Sequence, residues 1–418
     1  MNFYIFIERW GLLLILLYCC GIFSPDLSPK VQLLDLDLNS LSETKSGSDF
    51  LKQIFWLALA SLYAIIAYIN KAKVDYIIII RSMFVPFLFL ITTIFICTLS
   101  LIWSDFILVT FKRTIFQIIL FWVLVQAFIF CYLQSNLVST FKYLCYLTIL
   151  MIFASIINGS GINPYMELAG FTKSKNTMGA VLGVVFIISH LVLSYYNLVR
   201  KSKYLLCVVL LLLLFTFSKT SIILVFMYLF LSFFSILKIR FFLTLSFFSI
   251  IVVFILIPFV TYLFGTIWHI GLIVEPEFMT GRGVIWDTIY YDLDYFNKLT
   301  LGYGYGSFFG TSSTPYFFDN QYSFLRFINS SHNGYIELIT QVGILSLFVV
   351  SILMFITYFA NSKLTISAVS FPIFYNISEP AILRDQHIVW VMCLLLICFA
   401  SVFNNKGLKP SLRGRFDC

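Results

Sequence analysis

The stretch TIFQIILFWVLVQAFIFCYL, residues 114–133, is twenty residues long and contains no charged side chain. Wound as an α-helix it is about 30 Å long, the thickness of the hydrocarbon core of a bilayer. Its apolar residues run on without the apolar–polar alternation of a barrel strand, so the backbone must satisfy its own hydrogen bonds as a helix. Lys112 and Arg113, just before it, mark the water boundary. The stretch reads as a membrane-spanning helix.

Working outward, eleven further runs read the same way: 4–23, 51–69, 77–102, 143–158, 177–197, 204–217, 220–237, 241–264, 335–360, 364–378 and 387–404. Those at 143–158, 204–217 and 364–378 are short for a full crossing and are expected to be tilted, broken or packed inside. Of the 418 residues 61% are hydrophobic and 11% charged, against about 45–50% and about 25% in soluble domains. That excludes a soluble enzyme, a disordered chain and a single-pass anchored domain. The expected fold is an all-α polytopic membrane protein of about twelve transmembrane helices. Residues 1–264 carry nine spans, 265–334 form one large loop, and 335–418 carry three spans and a basic tail. No small-residue cleavage site follows the first run, so it is expected to stay as a span. Eight of the nine cysteines lie in apolar runs, with no CxxC, and read as small apolar side chains.

Lysine and arginine set the orientation. With an inner N-terminus and alternating spans, the inner side holds the RKSK cluster at 200–203 and the KGLKPSLRGR cluster at 406–415. Fifteen basic residues against three acids give +12 inside, and twelve against sixteen give −4 outside. Both termini are therefore expected in the cytoplasm. The net charge of +8 is an orientation signal, and no nucleic-acid partner is expected.

The 70-residue outer segment 265–334 is far longer than a plain connection, and loops of that length are commonly functional. Within it, Val284, Ile285, Ile289 and Leu293 recur at helical spacing beside Asp287, Asp292 and Asp294. The pattern predicts a short amphipathic helix at the membrane surface. GYGYGSFFG, 302–310, lacks the preceding strand and following Lys-Ser/Thr of a nucleotide loop. It reads as a tight turn, either structural or presenting aromatic faces to a sugar or lipid, with Gly304 and Gly306 as candidate contacts.

Basic residues are unexpected on an acidic outer side. Lys112, Arg113, Lys173, Lys175, Lys219, Arg282, Arg326 and Arg384 all fall there. Each singly is explained by snorkelling to headgroups; as a ring they suit a lipid-linked phosphate or diphosphate. His190, inside span six, is expected to hydrogen-bond a neighbouring helix. His332 enters span ten from a polar turn, where an imidazole titrates and serves as a base, or is simply a satisfied structural histidine. Asn333 beside it would orient the ring or hold a sugar hydroxyl, and Glu337 is the fallback base. No HxxxH or HExxH occurs, and no metal or cofactor is expected.

Five segments together resemble the O-antigen polymerase and O-antigen ligase superfamily of bacterial inner-membrane glycosyltransferases. They are GFTKSKNTMG (170–179), FSKTSIIL (217–224), TGRGVIWD (280–287), GYGYGSF (302–308) and SSHNGYIELITQVGILS (330–346). The resemblance implies a GT-C-like, metal-independent enzyme with its active site at the periplasmic face. Its partner would be an undecaprenyl-diphosphate-linked oligosaccharide in the lipid bilayer, together with a chain-length-regulating protein. His332 and Arg282 would be catalytic, and Lys175, Asn176, Lys219, Arg326, Asn333, Arg384, Gly304 and Gly306 would bind substrate. Many members carry Arg where this chain has Lys219, which keeps the charge but loses the bidentate fork. The Lys-Ser-Lys-Asn run and the Ser-Lys-Thr step are more similar to the polymerase branch than to the ligase, whose acceptor is a lipid A core sugar. A polyprenyl-glycan flippase is the alternative from another class. Transporters place ionisable groups near the midplane, whereas these spans are almost uncharged.

Overall fold

The computed structural model describes residues 3–28, 50–70, 81, 84–263, 282–309, 311 and 330–404. The expected contacts Arg326 and the greater part of 265–334 lie outside the described residues, as does the basic tail. Among the described residues every regular element is a helix, and the β structure is one isolated bridge between Ile162 and Leu168. In chain order the helices are α1 Phe3–Cys19, α2 Phe50–Ile69, α3 Phe84–Leu99, α4 Ile107–Leu133, α5 Leu137–Ile157, α6 Lys175–Tyr195, α7 Lys203–Phe215 and α8 Lys219–Leu231. They continue with α9 Ile236–Ile251, α10 Ile257–Leu263, α11 Arg282–Tyr295, α12 Gly334–Val342, α13 Ser346–Phe359, α14 Lys363–Ala368, α15 Ser370–Ser378 and α16 Ile388–Asn404. Among them are seven stretches long and apolar enough to cross a membrane, so the protein is a multi-pass membrane protein.

The helix α6 is the centre of the bundle. Its apolar window is 83% buried, against 22% for α2 at the periphery. It packs on α5, α7, α8, α14 and α16, while α4 takes α1, α2, α3 and α16. Exposed faces still carry large apolar side chains, such as Leu51, Tyr68, Ile91 and Phe241, as lipid-facing surfaces do. His190 on α6 bonds through Nδ1 to the Tyr228 hydroxyl on α8 at 2.8 Å.

Several expected boundaries shift for physical reasons. The run read as 114–133 starts at Ile107, because exposed Lys112 and the half-buried Arg113, which packs on the Gly306 turn, both fall within the helix. The run 143–158 is a full helix of 21 residues, whereas 204–217 yields only 13. Span nine contains a π turn, Val252–Leu256, ahead of Pro258. Proline has no N–H for the Phe254 carbonyl four residues back; the Tyr290 hydroxyl donates to that carbonyl instead, at 2.8 Å. Span ten breaks after Val342, where Gly343 has φ +58 and a Cβ would lie 2.2 Å from the Thr300 carbonyl oxygen. Residues 300–304 run alongside this break: the Tyr303 amide donates to Thr340 and the Gly304 amide to Gln341.

The loop helix exists as α11, but its apolar stripe meets protein. Ile285, Trp286, Ile289 and Leu293 are buried, and Trp286 donates to the Ser331 carbonyl at 2.8 Å. Asp292 does not face water as an amphipathic surface helix requires. It is buried and accepts the Tyr303 hydroxyl at 2.7 Å.

Candidate functional site

Helix ends sort into two groups. At one end Glu8, Asn70 and Gln134 meet, and Arg240 meets residues 357–360. At the other, the Asp26 amide bonds Phe171, Tyr18 stacks on Phe55, and Trp103 donates to Leu301. The candidate residues gather at this second end.

The start of α12 is built by its cap. Asn333 is extended (φ −153, ψ 114), and its Oδ1 accepts the amides of Tyr335 and Ile336, satisfying two of the helix's free donors. It is fully buried, and its side-chain oxygen is spent on capping the helix. His332, just before it, takes φ +51. That left-handed conformation costs a non-glycine residue about 1–2 kcal/mol and marks a place to look for function. The cap turns the ring outward: 38% of the His332 side chain is exposed. Glu337, one turn into α12, is buried and accepts the Ser331 amide at 3.4 Å.

Two distant segments converge with that of His332. Its Nδ1 lies 3.4 Å from Glu379 Oε2, and Arg282 Nη2 lies 3.1 Å from Glu379 Oε1. Arg282 Nη1 also donates to the Ser378 carbonyl. Burial opposes the Glu379 charge, but the His332 bond and the charges of His332, Arg282 and Arg384 hold its pKa below the usual carboxylate value. Arg384 is exposed, and its guanidinium makes no hydrogen bond among the described residues. Glu379 itself was not singled out in the sequence.

Lys175 and Lys219 meet elsewhere on this end. With Tyr165, Glu167, Phe217, Ile222 and Ile223 they line an open groove of about 550 Å³. Each lysine is the first residue of a helix, α6 or α8, so two positive helix ends point at one space. Ser174 caps α6 by accepting the Thr177 amide at 3.2 Å. Lys175 is paired with Glu167. Burial works against that carboxylate, yet bonds from Lys175 and Asn163 keep its pKa low. Asn176 follows in the first turn of α6, half-buried and outside the groove lining. Gly183 on α6 abuts Phe371 at the start of α15. Eight residues of helix rise from there to Lys175, and eight to Glu379, about 12 Å each, so groove and histidine cluster open on the same end.

A third polar knot braces the end. Gln117 Nε2 donates to Tyr305, Leu383 and Asp385, and Gln117 Oε1 accepts from Trp390 at 3.0 Å. Burial raises the pKa of Asp385, against the charges of Arg113 and Lys52. The glycine-rich turn belongs to this brace. Tyr303, Tyr305, Phe308 and Phe309 are buried, so the rings are not presented to a ligand. Gly304 has φ +98 and a Cβ there would sit 2.5 Å from Ser104, so it permits close approach of two chain segments; Gly306 is likewise packed against Arg113. Lys112 and Lys173 are exposed and outside these clusters. Among the described residues no group of three metal-ligating side chains occurs. No family model, curated protein or solved structure matches the chain.

Proposed function

We propose that the protein is a glycan polymerase of the bacterial inner membrane, with twelve spans, cytoplasmic termini and its site at the periplasmic face. The growing glycan would leave undecaprenyl diphosphate for a hydroxyl of the next lipid-linked repeat unit. The observation that carries this reading is the half-exposed His332, beside exposed Arg384 and on the same end as the two-lysine groove.

In the transfer, the acceptor oxygen bonds to the anomeric carbon and its proton passes to His332. The bond from that carbon to the diphosphate breaks, and the diphosphate leaves with the electron pair. Cations near the departing oxygens lower the barrier by stabilising charge as it develops. The groove, with apolar Phe217, Ile222 and Ile223 beside the two lysines, suits a phosphate carried on a lipid tail. Lysine offers point charges there and no fork.

Deleting the gene and examining the cell's lipid-linked and core-linked glycans tests the proposal. A single repeat on the core is the expected result. Core with no glycan at all would point instead to ligation, and an unchanged glycan ladder would end both readings.

A further inference from the structure

Arg282 is crowded by protein. One terminal nitrogen donates to the Ser378 carbonyl and the other meets Glu379 at 3.1 Å, and only 18% of its side chain is exposed. Both terminal nitrogens of this guanidinium are turned to protein, and its low exposure leaves little of it facing a ligand. Arg384, exposed and without a side-chain hydrogen bond among the described residues, has its whole fork to offer.

Glu379 is held as firmly as its partners. It ends α15 in an extended conformation (φ −149, ψ 135), and Pro380 behind it disfavours the helical alternative. The next turn is pinned by Asn376, whose Oδ1 accepts the amides of Ala381 and Ile382. Each oxygen of the carboxylate therefore faces a different partner.

A neutral imidazole carries one N–H, and the nitrogen facing a carboxylate keeps it. With Nδ1 facing Glu379, the acceptor lone pair of His332 is on Nε2, for which no partner occurs among the described residues. We infer that Glu379 is the positioning residue of this site: one oxygen fixes the tautomer and orientation of His332, the other withdraws Arg282 from ligand binding. Arg282 then aligns Glu379, and Arg384 is the cation that meets the leaving diphosphate. This rests on the transfer reaction proposed above for its role, though not for its geometry.

The other charged or titratable groups bearing on the pair are Glu337 on α12, Tyr375 on α15, and Arg384 and His387 in the turn that follows. None of them replaces a carboxylate lost at 379.

The test is a reactivity profile that needs no enzymatic turnover. Purified full-length protein is treated with diethyl pyrocarbonate across pH, and His332→Ala identifies the contribution of His332. In Glu379→Gln the pH profile of His332 modification departs from that of the wild type, because the ring loses the carboxylate that faces Nδ1. Glu379→Asp keeps the charge one methylene further back, and its profile moves the same way by less. If the Gln variant does not accumulate, the Asp variant decides alone. A profile unchanged in the accumulating variant overturns the inference. In a second measurement, Arg384→Ala weakens binding of a short-chain polyprenyl diphosphate while Arg282→Lys does not; equal losses would place Arg282 on the phosphate and overturn the division of labour. Variants that show the shifted profiles, in a protein whose wild type transfers no glycan, would leave Glu379 in its place and remove the proposed function.

Discussion

The two ends of the bundle treat charge differently. At the end with Glu8, two charged groups are saturated by protein: Glu8 takes the amides of Asn70 and Gln134 at 2.9 and 2.7 Å. Arg240 spreads over the carbonyls of Thr357, Tyr358 and Ala360, the unbonded carbonyls that finish α13. At the other end Arg384 and Lys219 are exposed, and His332 has one ring nitrogen engaged. Both ends contain charge-assisted hydrogen bonds, so their presence alone distinguishes nothing. Saturated charge holds helices together; under the proposed function, the open groups at the second end are the ones that meet substrate.

The largest expected effect falls on the open end. His332→Ala should slow glycan transfer by about 10²–10⁴-fold, the usual loss with a general base, while protein abundance and donor binding stay normal. Single-turnover transfer on a lipid-linked substrate measures it. Loss of abundance and binding together would instead make His332 a structural residue like Glu8.

Next come the open cations. Arg384→Ala and Lys219→Ala should each weaken donor binding by roughly 10–100-fold, corresponding to about 1.5–3 kcal/mol for a charge-assisted contact. Titration with a labelled lipid diphosphate reads this directly, and wild-type affinity in both variants would return them to snorkelling.

The saturated end should respond in the opposite currency. Arg240→Ala strands three helix-end carbonyls and should cost stability of about 1.5–3 kcal/mol. Thermal unfolding in detergent should shift down with the turnover of each folded molecule unchanged. A variant that kept its melting temperature but lost transfer would break the contrast.

The smallest effect concerns a buried acid on the open side that serves packing. Burial pushes Asp292 up to about 6 from 3.8, against the bond from Tyr303. An acid raised on folding binds its proton more tightly in the folded state. Stability therefore declines as pH rises between about 3.8 and 6, and the full penalty is present above 6. Asp292→Asn should raise stability at pH 7 by on the order of 1–2 kcal/mol, read as a higher melting point, with little gain at pH 4. A drop at pH 7 would show that Asp292 needs its charge.

The multi-pass membrane class was readable because a bilayer demands long apolar runs, and seven stretches among the described residues are helical and long and apolar enough to cross. The interruptions were harder to read. Pro258 announces a defect, but its repair comes from Tyr290, and the break at Gly343 depends on Thr300. His332 and Asn333 stood out because a polar turn entering an apolar run is locally visible, although the sequence did not separate the exposed ring from the buried cap. Glu379 was illegible for another reason. Its partners lie 47 and 97 residues away, so no local spacing encodes the contact. Gln117, inside an apolar run, likewise meets Leu383 and Asp385 only across the fold.

The central position of α6 has a consequence for how the chain is made. It is finished at Tyr195, but α16, which covers one of its sides, begins at Ile388. At about 5–20 residues per second, roughly ten to forty seconds pass between the two during synthesis. Through that interval lipid must stand in for the absent neighbour. A helix apolar on every side accepts either solvent, which is why α6 can be born at the edge of a growing bundle and end in its middle.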